Sequence, residues 1–114
     1  MEDLLIKILE EFGFPVKLQG SFTEEESYPD NFFTFWNNDS YGGSYYDNSE
    51  KSTIFDYDVN FYSNDPQKVY DILRDAIQKL KNAGFIISGD GYGVASDEPT
   101  HDGRGVNVKH LRRN

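Results

Sequence analysis

The stretch Thr53-Ile54-Phe55-Asp56-Tyr57-Asp58-Val59-Asn60-Phe61-Tyr62, then Ser63-Asn64-Asp65-Pro66 and the run on to Phe85, decides the fold. Thr53, Phe55, Tyr57, Val59 and Phe61 alternate with Ile54, Asp56, Asp58, Asn60 and Tyr62, the two-residue period of a half-buried strand. Beyond Pro66 the apolar positions become Val69, Ile72, Leu73, Ala76, Ile77, Leu80 and Ala83, the stripe of an amphipathic helix. Asp65 is placed to cap that helix, Pro66 suits its first position, and Gly84 can close it in the left-handed conformation. A strand feeding a helix says how the domain is built and names no activity.

Toward the N-terminus, Met1, Leu4, Leu5, Ile8, Leu9 and Phe12 share one helical face, and Gly13 and Pro15 end it. Val16, Leu18 and then Phe22 predict a first strand, and Thr23 to Glu26 an exposed charged turn. Phe32 to Trp36 is a second strand, apolar on both faces, which places it centrally or against another protein. From Asn37 to Lys51 the composition turns to Asn, Asp, Ser, Gly and Tyr, a long hairpin or ordered loop around Gly42-Gly43. Its Tyr41, Tyr45 and Tyr46 suit packing on the sheet and adaptable protein contacts equally.

After the second helix, Phe85 to Ile87 reads as a short strand, Ser88 to Gly93 as glycine turns, and Asp97 to Gly103 as loop. Val106 and Val108 alternate in a last strand ending near Leu111. The expectation is one α+β domain over residues 1–114. It holds a mostly antiparallel sheet of about four to five strands with two helices packed on one face.

The formal charge of −9 is uneven. Arg104 to Asn114 holds Arg104, Lys109, Arg112 and Arg113 and no acid, +4; the other seven basic and twenty acidic residues leave −13. So acidic a body repels nucleic acid at long range. The basic end is a solvated tail or a patch that docks on an acidic surface of a neighbouring copy. The absence of cysteine excludes disulfides, thiolate metal sites and cysteine nucleophiles. No apolar run is long enough to span a membrane, and Glu2 and Asp3 do not suit a secretory signal. A cytoplasmic protein is the expectation.

No constellation with enzymatic chemistry emerges. Gly89-Asp90-Gly91-Tyr92-Gly93 precedes no helix and lacks a Gly-Lys-Ser/Thr ending, so its glycines read as turn residues and not as a phosphate cradle. Asp56 and Asp58 share a strand face, where solvated aspartates are expected ahead of a cation site or acid–base pair. Asp90, Asp97, Glu98 and Asp102 do not follow a calcium-loop pattern. His101 and His110 read as surface residues, with neither a nucleophile elbow nor metal-ligand spacing nearby. Asn38-Asp39-Ser40 matches a glycosylation sequon, which has no consequence without secretion. Arg104, between Gly103 and Gly105, is the charged residue singled out, for a structural or interface ion pair with a carboxylate. No catalytic, cofactor-binding or metal-ligating residue is assigned.

The order of features resembles the small tail-terminator and head–tail joining proteins of long-tailed bacteriophages and their prophage remnants. The residues that carry the resemblance are the N-terminal helix Met1–Phe12, the tyrosine-bearing region Asn37–Lys51, Asp58-Val59-Asn60-Phe61-Tyr62-Ser63 before the helix Pro66–Ala83, and Ala83-Gly84-Phe85. The resemblance implies a non-enzymatic α+β subunit without cofactor. It implies homo-oligomeric assembly as a ring on the tail tube, in contact with tube and connector proteins, with a monomer as the alternative for the free chain. The host cytoplasm and then the virion tail are the implied locations, with no membrane and no direct nucleic-acid binding. Arg104, Arg112, Arg113, Tyr41, Tyr45 and Tyr46 are the candidate interface residues. The competing expectation is a monomeric acidic cytoplasmic module that binds or inhibits a basic partner.

Overall fold

Strand and helix meet where the sequence places them. The computed structural model describes residues 2–19, 29–38, 41–42, 52–96 and 99–113. Its elements are α1 (Glu2–Glu10), β1 (Val16–Leu18), β2 (Asn31–Asn37), β3 (Tyr41–Gly42), β4 (Ser52–Ser63), α2 (Pro66–Asn82), β5 (Ile86–Val94) and β6 (Asp102–Arg113). The Asp65 side chain accepts from the Gln67 amide at 3.0 Å, and Pro66 opens α2. At the far end Gly84 adopts φ +98°; its amide donates to the Lys81 carbonyl at 3.0 Å and that of Phe85 to Leu80 at 2.9 Å. That pair of bonds is the Schellman closure, and it satisfies two carbonyls a helix end otherwise leaves free. Gly13, at φ +82°, ends the turn that follows α1.

The strands run in the order β1-β2-β4-β6-β5, with β3 paired to β4 off this path. Every neighbouring pair is antiparallel except β1 with β2, which is parallel. The sheet is thus mixed but mostly antiparallel, as expected. Both helices pack on one face, α2 over β4, β6 and β5 and α1 beside it toward β1. The core between them joins Leu5, Ile8 and Leu9 of α1 and Leu73, Ala76 and Leu80 of α2 to Phe33, Phe35, Tyr57, Val59, Phe61, Val106 and Val108 of the sheet. Each of the Leu, Ile, Val and Phe side chains among them contributes about 1.5–3 kcal/mol relative to leaving it in water.

The last two strands correct the sequence reading. β5 and β6 are long, and Ser88 to Gly93 lies inside β5. Ser88 pairs with Asn107 and Tyr92 with Gly105, so Gly89, Asp90 and Gly91 together oppose Val106. The bulge holds two extra residues, so Tyr92 returns to the face Ser88 occupies and the alternation survives. Gly89 (φ +75°) and Gly91 (φ +101°) supply the left-handed backbone this requires. Arg112 and Arg113 pair with Thr53 and Ser52 as the end of β6, not as a free tail. Of the Asn37–Lys51 region, Tyr41-Gly42 pairs with Ile54 and Thr53; Tyr45, Tyr46 and Phe22 lie outside the described residues.

Candidate functional site

The face of the sheet turned away from the helices is the part of the molecule whose side chains call for explanation. Register sets its rows. Phe32, Tyr62, Gly103 and Val94 form the first; Lys17, Thr34, Asn60, Gly105 and Tyr92 the second; Trp36, Asp58, Asn107 and Ser88 the third. Asp56, Lys109 and Ile86 follow, and Ile54 with Leu111 comes last. Trp36, Ile86, Tyr92 and Leu111 are exposed, at 49, 61, 45 and 45%. Of the seven large hydrophobic side chains exposed among the described residues, four lie on this one sheet face.

The middle of this face is a fixed polar network. Asn107 Nδ2 donates to Asp56 Oδ1 at 2.6 Å and to Asp58 Oδ1 at 3.1 Å. Lys109 Nζ donates to Asn107 Oδ1 at 2.9 Å and stands 3.8 Å from Asp56 Oδ2. Asn38 adds a bond to Asp56 Oδ1 at 3.3 Å. The carboxylates therefore differ from the solvated pair the sequence predicts: the Asp56 side chain is only 16% exposed. Asn107 presents its amide hydrogens between the two carboxylates, the position from which a cation would bridge them, and Lys109 offsets one of the two charges, that of Asp56. Among the described residues no three His, Cys, Asp or Glu side chains converge as metal ligands.

Glycines make room for the neighbouring rows. A Cβ on Gly105 would overlap Asn60 Oδ1 and press on the Tyr92 ring at 3.3 Å; one on Gly103 would meet the Tyr62 ring at 2.6 Å. Asn60 and Tyr62 thus lie over bare backbone, and Asn60 Nδ2 reaches the Tyr62 hydroxyl at 3.5 Å. Burial raises the Tyr92 phenol above its ordinary value, with the Asp58 charge and Tyr62 adding to the shift. Thr34 is 4% exposed, and its hydroxyl has no hydrogen-bond partner among the described residues.

The first-row end is closed by histidine, against the expectation of a surface residue. His101, 9% exposed, contacts the Pro29 carbonyl through Nε2 at 2.8 Å and Thr100 Oγ1 through Nδ1 at 3.0 Å. A carbonyl only accepts, so Nε2 carries a hydrogen toward it. Phe32 lies stacked on Tyr62 at 5.1 Å and tilted to His101 at 6.0 Å, and it is buried on this face as Thr34 and Asn60 are. His110 is half-buried with its ring edge-on to Phe85 at 4.8 Å.

The structure separates the candidate residues. Arg104 lies on the helix side, and among the described residues its partners are not a carboxylate. Nη2 donates to the Gly91 carbonyl at 3.2 Å and the Asp90 carbonyl at 3.5 Å, and the guanidinium stands over the Tyr70 ring at 5.0 Å. Arg104 pins the β5 bulge to α2. Tyr41, Arg112 and Arg113 are placed by backbone pairing alone, at the Ile54 end of β4. Trp36, Ile86, Tyr92 and Leu111 were not singled out from the sequence. The available signal was parity: each falls on the strand face opposite the core positions. No protein-family model matches the chain, and no curated protein matches it.

Proposed function

We propose that this protein is a non-enzymatic assembly subunit of the tail-terminator or head–tail joining type of long-tailed phages and prophages, working through protein contacts. The observation that carries the reading is the sheet face that no described helix covers, with Trp36, Ile86, Tyr92 and Leu111 exposed around a hydrogen-bonded polar centre. A rigid sheet with apolar side chains around satisfied hydrogen bonds is a surface fit to be covered by another protein. Both carboxylates already accept from Asn107, and Lys109 offsets the charge of Asp56, which leaves the single charge of Asp58 for a partner to meet. Co-sedimentation with purified tail tubes and connectors tests the reading. Binding lost in Trp36→Ala and Leu111→Ser supports it; a wild-type chain that binds neither tubes nor connectors removes it.

The −13 carried outside the basic end favours a second reading, an acidic module that covers a basic partner. A single stoichiometric host protein recovered with the chain, displaced by salt, supports that reading over the first.

A further inference from the structure

The polar centre of the sheet face holds one charge that its neighbours leave uncompensated. Asp56 is met by Lys109 at 3.8 Å and by the amides of Asn107 and Asn38. Asp58 receives only the Asn107 amide, at 3.1 Å on Oδ1, and among the described residues it makes no ion pair. Lys17, the other cation of this face, sits on the edge strand β1, two strands away and about 10 Å across the sheet. Asp58 is half-buried, so a partner that covers it must replace its remaining water with a cation.

What stands beside Asp58 is aromatic. Trp36 pairs with it across β2 and β4 in the same row, which sets the two Cβ atoms about 5 Å apart. From the other side the Tyr92 ring crosses Gly105, 3.3 Å from where a Cβ would stand, and the Asp58 charge acts on its phenol. Both rings are about half exposed. Aromatic faces carry negative potential, as the carboxylate does, so the three groups together favour a cation and oppose an anion. Ile86 and Leu111 continue the exposed surface apolarly in the next rows.

We propose that Asp58, Trp36 and Tyr92 receive an arginine side chain presented by the partner protein, with apolar residues beside it covering Ile86 and Leu111. This rests on the assembly reading above and names the chemistry the partner brings to that face. A guanidinium suits the place better than an ammonium: it lies flat on an indole, forks onto a carboxylate and is more weakly hydrated. An exposed ion pair alone contributes little. Stacking on the rings and exclusion of water by the apolar rim make the contact selective. The net charge of −9 draws a basic surface toward the chain.

NMR titration of the full chain at low ionic strength tests this, with acetyl-Leu-Arg-Leu amide as the probe and its citrulline and lysine counterparts as comparisons. The arginine peptide is expected to shift the Trp36 indole, Asp58 and Tyr92 signals saturably. It should bind about fivefold or more tightly than the citrulline peptide, which has the same shape without the charge, and more tightly than the lysine peptide. Asp58→Asn keeps an acceptor for Asn107 and removes the charge; it should lower arginine affinity to that of citrulline. Trp36→Ala should weaken arginine and lysine binding toward a common value. Unfolding midpoints verify that both variants are folded. Absence of saturable binding, citrulline or lysine binding as tightly as arginine, or an Asp58→Asn chain that still prefers arginine overturns the proposal. Tubes or connectors bound equally by wild type and Asp58→Asn also overturn it and leave the assembly reading intact. Arginine selectivity lost in Asp58→Asn, in a chain that ignores tubes and connectors, sustains this contact and removes the assembly reading.

Discussion

The two faces of one sheet are solved differently in this protein. On the helix side Phe33, Phe61, Val59 and Val106 are fully buried, and apolar contact does the work. On the bare side Asp56, Asp58, Asn107 and Lys109 hold one another by directed bonds, and the large apolar side chains stay at the rim. The first face stabilises the fold through area removed from water. The second must keep polar groups satisfied while leaving surface free, so its arrangement depends on register and on missing side chains. Mutations on the two faces are therefore expected to separate stability from association.

The largest effect belongs to the covered face. Phe61→Ala removes a fully buried ring in contact with Phe33 and Phe14 and should cost about 3–5 kcal/mol in urea unfolding. A much smaller loss would mean that this face is loosely packed. Next comes Gly105→Ala, which drives a methyl into Asn60 and Tyr92; a loss of about 1–3 kcal/mol is expected. Gly93→Ala is its control, since nothing lies within 4 Å of a Cβ there; it should change stability by less than about 0.5 kcal/mol. Equal behaviour of the two would show that the glycines are there for flexibility and not for space.

Asn107→Leu leaves Asp56 and Asp58 without their shared donor, and about 1–3 kcal/mol should be lost at neutral pH. An unchanged unfolding midpoint would reduce the network to an incidental one. Alkaline pH probes both faces together. Burial raises the Tyr57 phenol above its ordinary 10.0, with Glu2 adding, as it raises Tyr92 on the other face. A folded-state pKa above the unfolded one means that the native state holds its proton longer. The stability so contributed is present below pH 10.0 and is lost as pH climbs through the raised values. Tyr57→Phe should make that alkaline loss shallower, read as unfolding midpoint against pH. The smallest effect is Trp36→Ala: half exposed, it should move stability by less than about 0.5 kcal/mol while weakening tube binding. A large loss of stability there would make the bare face part of the core and erase the contrast.

The β4–α2 junction was legible because its determinants are local. Asp65, Pro66 and Gly84 act within a few residues of themselves, and the change of hydrophobic period needs no partner to be seen. The fold class followed from the same signals. The glycines of β5 were not legible as strand, because turn and bulge call for the same left-handed backbone, and only pairing with Gly105 and Asn107 distinguishes them. Arg104 offered an ion pair on paper and found carbonyls instead, since the bulge delivers those of Asp90 and Gly91 to it.

By itself, then, the sequence determined which residues turn inward: periodicity is a property of each segment, and it survives whatever the segment packs against. It also determined the charge division at residue 104, which is composition alone. Only the tertiary structure decided what the outward residues do. Asn107 meets Asp56 and Asp58 from about fifty positions away, and Tyr92 lies over Gly105, because strand register brings them together. Register is fixed by the packing of the whole sheet, and no single segment carries it.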